Sequence, residues 1–213
     1  MRVFRQIPKT AARWFSDTRG SMPIEGVMGM LLLVGWFAVS FQFYDAFRTK
    51  AVNTRASYTI ADLISRESDQ VGPSYVAGLQ KVFNFITNTN AENQTWIRVS
   101  LIYCDASSNS EPCDGVTKDF SLENSYATDS KPKHTKVTIN QEAFRIPKMP
   151  AGDTAVIVET SYFYNPFLGI GEQEFRTGGN SMFTRIGLHS RLRFSSFVVT
   201  RPRGPRVAWD DSY

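Results

Sequence analysis

The 213-residue sequence contains only two cysteines and two histidines. Two thiols are too few for a disulfide-dense scaffold or for a zinc site with four thiolate ligands. With His134 and His189 as the only imidazoles, a catalytic metal site with three histidine ligands is also excluded. Neither histidine lies in a Ser-His-Asp or Cys-His signature, and a G-x-S-x-G nucleophile motif is absent. We therefore expect no enzymatic activity, no bound metal and no cofactor.

Excess charge is scarce outside the N-terminus. The formal net charge is +4, and residues 1–20 carry five basic side chains against the single acid Asp17. Residues 45–213 are almost neutral, with 19 basic and 18 acidic side chains. A folded surface that binds nucleic acid would concentrate basic charge, so we expect no nucleic-acid partner. A basic leader before an apolar stretch is instead typical of a membrane-inserted N-terminus.

The leader is followed by one long apolar run. Residues 22–44 read MPIEGVMGMLLLVGWFAVSFQFY and contain a single charged residue, Glu25. As an α-helix these 23 residues extend about 35 Å, enough to cross a hydrocarbon core of about 30 Å. A cleaved secretory signal would have a shorter apolar region followed by a small-x-small site. We expect one transmembrane helix at residues 21–44, with a cytoplasmic leader at residues 1–20 and the rest of the chain exported.

A short motif stands at the junction between the leader and the apolar run. It reads RGSMPIE, in which Glu25 is the fifth residue after Gly20 and places a carboxylate at the membrane edge, where it is costly. This order resembles the processing site of type IV pilins and pseudopilins. The resemblance implies that a prepilin peptidase cuts between Gly20 and Ser21, and that Glu25 pairs with the N-terminal ammonium of a neighbouring subunit. Ser21 and Pro23 depart from the major pilins, whose first mature residue is usually phenylalanine or another apolar residue.

The longer pattern is similar to TadE/TadG-type proteins, the minor pseudopilins of the tight-adherence (Flp) pilus. The similarity covers residues 13–66, including ADL at residues 61–63, and extends to the strand VETSYFYNP at residues 158–166. Gly26 departs from the family, in which phenylalanine commonly follows the glutamate. The resemblance implies a structural or assembly role without catalysis, in the bacterial inner membrane with the head in the periplasm or the pilus. The implied partners are other pilus subunits, inner-membrane assembly proteins, the prepilin peptidase and membrane lipid.

Beyond the span, the sequence predicts an α+β protein with a long N-terminal helix and a small antiparallel-sheet head. Apolar residues with a helical period continue past the membrane, so one helix is expected over residues 23–68, with a break at Gly72-Pro73 and a second helix over residues 74–88. These elements form a helical stem at residues 45–90, before an antiparallel β head at residues 91–200. A period of two predicts strands at residues 96–103, 136–139, 154–164 and 190–200.

Two segments are expected to lie at the surface. Residues 105–133 are polar and predict a long loop, and His134 follows in the run KPKHTK, which also reads as an exposed loop. Residues 201–213 predict a flexible tail in which Trp209 is suited to making contacts.

Cys104 and Cys113 enclose the turn-rich sequence DASSNSEP, and in an exported domain we expect them to be oxidised to a disulfide. The alternative, in which the two cysteines bind a metal ion, is disfavoured because no further soft ligands lie nearby in the sequence. The nearby acids Asp105, Glu111 and Asp114 match no EF-hand spacing, so a solvated acidic loop is favoured over a Ca²⁺ site.

A cluster of arginines stands near the C-terminus, in a stretch without acids. Its members are Arg185, Arg191, Arg193, Arg201, Arg203 and Arg206. They are either solvated side chains of a strand and a basic tail, or an electrostatic contact with an acidic neighbour or anionic lipid.

Two other functions stay open. One is an uncleaved single-span envelope protein whose periplasmic head binds a partner protein. The other is a membrane-anchored periplasmic enzyme, which would need a group of catalytic residues that the sequence does not display.

Overall fold

The computed structural model describes residues 21–89, 94–107, 110–166, 192–204 and 206–212, with side chains from Ile24 onward. The chain divides into two compact units whose boundary falls between Tyr44 and Asp45. The first unit contributes an apolar helical segment. The second unit, called the head below, contains the sheet and the remaining helices.

The first helix, α1, covers Ser21–Ser65, so the predicted long helix is confirmed and ends three residues early. Its character changes along its length. Residues 24–37 are all exposed, whereas in the head Ala56, Ile60 and Ile64 are fully buried. Their spacing of four residues places them on one face of the helix. The head part of α1 is therefore amphipathic, as the sequence predicts.

The second helix, α2, covers Pro73–Thr87, in agreement with the predicted helix at residues 74–88. Proline stands at its start, where the missing amide hydrogen costs nothing, and Asn88 ends it in the left-handed conformation with φ of 52°. Its buried side chains are Val76, Leu79 and Phe83, at helical spacing. These three fix the face that α2 turns toward the core.

The described part of the head holds one four-stranded antiparallel sheet, so the fold is α+β. Its strands are β1 (Thr95–Tyr103), β2 (Ser121–Ala127), β3 (Thr154–Phe163) and β4 (Arg193–Thr200). The strand order is β2-β1-β3-β4. Val99 pairs with Val158, which in turn pairs with Val198. Three of the four predicted strands are thus confirmed, with small shifts at their ends.

The remaining predicted strand, at residues 136–139, is wrong, because this segment forms the short helix α3 (Lys136–Gln141). Thr135 caps the helix: its side chain accepts a hydrogen bond from the Thr138 amide, and the Thr138 hydroxyl accepts one from the Thr135 amide. This reciprocal capping satisfies two amides that a helix start leaves unpaired. Val137, which suggested a strand, points to solvent with 68% of its surface exposed.

The long loop predicted at residues 105–133 is wrong in part, because it contains the edge strand β2. Apolar and polar residues do not alternate clearly in its sequence SLENSYA. β2 lies at the edge of the described sheet and pairs with β1. Its register against β1 shifts between Leu101 and Ile102, which marks a bulge or irregularity. An edge strand of polar residues resembles a loop in its sequence pattern.

The core consists of two main clusters that the alternation of β1 and β3 places on opposite faces of the sheet. On one face, Val99 and Val158 pack with residues of α1 and α2 such as Ile60 and Phe83. On the other face, Ile157 packs with Phe120, Ile139, Ile146 and the two cysteines. The sheet is therefore a middle layer, with α1 and α2 on one side and the disulfide segment with α3 on the other.

The C-terminal segment expected to be a flexible tail is attached to the head. Trp209 forms a parallel bridge with Val71, where the Val71 amide donates to Ala208 O at 2.9 Å and the Asp210 amide donates to Val71 O at 3.0 Å. Val207 is buried in the core beside the helices. The prediction of flexibility is wrong for residues 206–210, because their alternating apolar side chains fit against the segment between α1 and α2.

Candidate functional site

The N-terminal motif is described only in part. Gly20 lies outside the described residues, and Ser21, the first described residue, already belongs to α1. Glu25 stands just past the first turn of this helix with an exposed side chain. The residues that follow the predicted cleavage site, from Ser21 through Glu25, are therefore helical.

The apolar segment exposes its side chains all around α1. Trp36 exposes 75% of its surface and Leu32 exposes 73%, and the residues between them are exposed as well. A soluble protein rarely exposes an apolar patch of more than a few hundred Å² without covering it. Within Ile24–Ser65 the helix is long and apolar enough to cross a membrane. The segment is therefore not a core helix of the described fold, and it suits a lipid environment.

The disulfide predicted between Cys104 and Cys113 is confirmed, with the Cα atoms 5.6 Å apart. Both cysteines are fully buried. Cys113 and Met149 exchange two backbone hydrogen bonds of 2.8 and 3.0 Å, and the Cys104 amide donates to Asp153 O. The bond thus ties the end of β1 to the segment that leads into β2, and it lies inside the second core cluster rather than on an exposed loop.

A buried ionic cluster of Arg98, His134 and Glu159 lies on the same face of the sheet as the disulfide. Arg98 in β1 and Glu159 in β3 are directly paired across the strands, and the Arg98 guanidinium donates from Nε to Glu159 Oε2. His134 Nε2 lies 2.8 Å from the same oxygen. Since an ionised carboxylate only accepts, Nε2 carries the hydrogen, and Nδ1 faces the Thr138 hydroxyl at 3.0 Å.

Glu159 is held in its ionised form by this cluster. Burial raises the pKa of the carboxyl, but the hydrogen bonds from His134 and Arg98 lower it, and the net result is a pKa below the usual value. The guanidinium of Arg98 also lies 5.5 Å from the ring centre of Trp96 and donates to Pro132 O. The cluster is thus satisfied on several sides and serves to join β1, β3 and the segment before α3.

The sequence pattern does not indicate this cluster, and the prediction of an exposed His134 is wrong. His134 exposes 7% of its surface. Its run of lysines suggests solvent, but the neighbouring lysines alone point outward while the imidazole turns inward. The available signal lay in the strands: Arg98 and Glu159 are opposite charges inside otherwise apolar strands, where a lone charge would be costly.

The acids near the disulfide are engaged in turns. Asp105 accepts a hydrogen bond from the Ser107 amide, and Asp114 accepts from the amides of Val116 and Thr117. The hydrogen bonds from the amides of Val116 and Thr117 lower the pKa of Asp114 to about 2. Among the described residues, no group of three or more His, Cys, Asp or Glu side chains is placed to hold a metal ion.

Most of the C-terminal arginines whose side chains are described have acidic partners within the head. Arg201 pairs with Asp153, Arg203 with Asp62 at 2.7 Å, and Arg206 with Glu123 at 2.6 Å. Arg193 instead lies over the ring of Phe163 at 5.2 Å. Arg185 and Arg191 lie outside the described residues. The stretch lacks acids in sequence, and the fold supplies them from α1, from β2 and from the residue before β3.

No family model, curated protein or solved structure matches the chain.

Proposed function

We propose that the protein is a structural subunit, a minor pilin or pseudopilin of a Tad-type pilus, anchored by α1 in the bacterial inner membrane. The observation that carries this proposal is the continuity of α1. One unbroken helix includes Ser21, runs as an exposed apolar segment and continues into the head. Such a helix joins a lipid-compatible segment to a folded head without a break in the helical backbone.

The construction of the head supports a structural role. Its sheet is enclosed by helices on one face and by the disulfide segment on the other, and ion pairs secure its strands and its C-terminal segment. The buried charged cluster inside it is engaged internally: His134 and Arg98 both bind Glu159. Groups used in this way join elements of the fold and are not set up for general acid or base catalysis.

The N-terminal motif supports processing by a prepilin-type peptidase between Gly20 and Ser21. Glycine gives the peptidase an unhindered backbone. Cleavage there frees an ammonium at the N-terminus of the mature chain, and the resemblance to pilins pairs this ammonium with Glu25 of a neighbouring subunit. In an apolar environment such a pair fixes the register between subunits more than it adds stability.

The test is the mature N-terminus of the protein isolated from the envelope of its own host. Intact mass and terminal sequencing should give a chain that begins at Ser21, with residues 1–20 removed. A membrane-bound chain that retains residues 1–20 would contradict the pilin-like proposal. It would favour an uncleaved single-span protein whose head binds a partner.

A further inference from the structure

A polar cavity of about 390 Å³ lies in the head, in the part nearest along the chain to the apolar segment. Its wall includes the first head residues of α1, the end of α2 and the end of β3. This volume falls in the range of about 300–1,000 Å³ that is typical of small-ligand sites. The side chains that concern its chemistry are Asp45, Arg48, Thr49, Asn88, Tyr162 and Asn165.

Arg48 supplies a cation to this wall. Among the described residues it makes no ion pair, although Asp45 stands three positions earlier on α1. Six other arginines of the head, in contrast, each bind a carboxylate: Arg66, Arg98, Arg145, Arg201, Arg203 and Arg206. A guanidinium without a carboxylate partner, beside hydroxyl and amide groups, is a suitable donor set for phosphate oxygens.

Asp45 adds a negative charge to the same wall. One of its carboxylate oxygens, Oδ2, accepts a hydrogen bond from Tyr164, which leaves Oδ1 for a second donor. A ligand that carried only negative charge would be repelled by this carboxylate. A zwitterion, in contrast, would place its phosphate at Arg48 and an ammonium at Asp45.

The position of the cavity along α1 points to a lipid as the source of such a ligand. Asp45 directly follows Tyr44, the last residue of the apolar run. At 1.5 Å per residue, Arg48 stands about 6 Å beyond Tyr44 along the helix. The headgroup region on each side of a bilayer is about 5–8 Å thick. A helix whose apolar run fills the hydrocarbon core would therefore hold Arg48 at the level of the headgroups.

We propose that this cavity binds a phosphoethanolamine headgroup, with the phosphodiester at Arg48 and the ammonium at Asp45. The lipid source rests on the membrane anchoring in the proposed function, but not on cleavage at Gly20 or on membership of a pilus. The same headgroup chemistry also exists in soluble glycerophosphoethanolamine, so a test has to separate the two sources.

The test uses the full-length chain, purified in detergent and analysed by native mass spectrometry after incubation with one defined ligand at a time. The ligands are phosphatidylethanolamine, phosphatidylglycerol with the same acyl chains, and glycerophosphoethanolamine. We expect one phosphatidylethanolamine to be retained per chain, in preference to phosphatidylglycerol. Binding of the soluble compound as well would assign the affinity to the headgroup, whereas binding of the lipid alone would show that the acyl chains are needed.

Three variants separate the contributions of the charges. Arg48→Gln should reduce retention of both lipids by about tenfold, the effect of losing one charge-assisted hydrogen-bonding group. Asp45→Asn keeps an oxygen that can accept from Tyr164, so it should remove the preference for phosphatidylethanolamine while leaving phosphatidylglycerol bound. Arg55→Gln is the control, because Arg55 is an exposed arginine of α1 outside the cavity wall.

Equal lipid retention by the Arg48 and Arg55 variants would overturn the site, and a wild-type preference for phosphatidylglycerol would overturn its assignment to phosphoethanolamine. Retention of neither lipid nor the soluble compound would also overturn it. Carbonate extraction of host membranes checks the anchor separately: a chain that stays in the membrane but binds no headgroup contradicts this inference alone. A chain released by carbonate contradicts the proposed function instead.

Discussion

The Tyr164 hydroxyl donates a hydrogen bond of 2.9 Å to Asp45 Oδ2, joining residues that are 119 positions apart. Tyr164 follows the end of β3, and its ring lies 5.4 Å from that of Phe194 in β4. Asp45 is the first head residue of α1. Ala46 is also buried beside Tyr164. These contacts connect the end of β3 and the beginning of β4 to the first head residues of α1.

Replacing Tyr164 with phenylalanine should lower the free energy of unfolding by about 1 kcal/mol, the net contribution of one hydrogen bond. The ring keeps its packing on Phe194, so the change isolates the hydroxyl. Urea denaturation of the detergent-solubilised chain, followed by tryptophan fluorescence, measures the difference. Tyr162→Phe is the control, since no hydrogen bond of its hydroxyl is found among the described residues. Equal effects of the two substitutions would show that the Asp45 contact adds nothing.

The buried cluster predicts a loss of stability in acid. Burial raises the pKa of Glu159, but the hydrogen bonds and charges of His134 and Arg98 together outweigh it, so folding lowers this pKa. Its contribution is therefore fully present above the unfolded pKa, about 4.3, and is lost as the pH falls through the lower folded value. We expect Glu159→Gln to flatten the dependence of the unfolding free energy on pH in this acidic range.

At neutral pH, Glu159→Gln should also cost roughly 3 kcal/mol, because it leaves the partly buried Arg98 without its countercharge. The matched control is Glu123→Gln, which removes the partner of Arg206 in an ion pair whose arginine side chain is 51% exposed. An exposed pair contributes less than about 1 kcal/mol. Urea denaturation at several pH values compares the two variants. If they lose equal stability at pH 7 and share one pH profile, the cluster has no special role.

The disulfide should be present in the protein isolated from its envelope. Because both cysteines are fully buried, thiol reagents have to be applied in denaturant. Without reductant we expect no labelled cysteine, and with reductant two. Replacing Cys104 and Cys113 together with alanine should lower the free energy of unfolding by about 2–3 kcal/mol, in the loop-entropy description of a short closed loop. Two labelled thiols in denaturant without reductant would contradict this prediction.

Gly115 is a backbone requirement of the segment after the disulfide. Its φ is +73°, and a Cβ placed there would lie 2.1 Å from Ala143 Cβ. Gly115→Ala should therefore destabilise the head by about 2 kcal/mol, since both strain and overpacking act against it. Gly78→Ala is the control: it lies inside α2 with open space around it, and should stabilise by about 0.5–1 kcal/mol. Equal denaturation midpoints for both variants would contradict the close approach.

The sequence predicts those elements whose own apolar pattern decides their structure. The helices α1 and α2 bury residues at helical spacing, and the strands β1 and β3 are apolar runs that are largely buried on both faces, so their own sequences identify them. The strand β2 and the helix α3 depend on other information. β2 exists because β1 offers a free edge, and α3 begins where the side chains of Thr135 and Thr138 cap it.

Side-chain partners were harder to predict for a related reason. Cys104 and Cys113 are close in sequence, so their pairing was expected, whereas Glu159 and His134 are 25 residues apart and meet only after β3 and α3 are placed. The arginines of the C-terminal stretch form their ion pairs with acids from distant segments, as Arg206 does with Glu123. The net charge of a stretch of sequence does not contain this information, because folding decides which charges become neighbours.

The N-terminal motif yields two variants that separate processing from assembly in the native host. Gly20→Val should block cleavage, because a branched side chain crowds the backbone that the peptidase must reach, and the full-length species should accumulate in the membrane. Glu25→Ala should be cleaved normally, since the carboxylate is not at the scissile bond, but should reach the pilus in reduced amount. Losing a fully desolvated partner of the neighbouring ammonium costs several kcal/mol. Gly26→Ala is the control, because Gly26 lies in α1 with open space around it and should affect neither step. Immunoblots of membranes and sheared pili measure both steps, and normal cleavage of Gly20→Val would refute the assigned processing site.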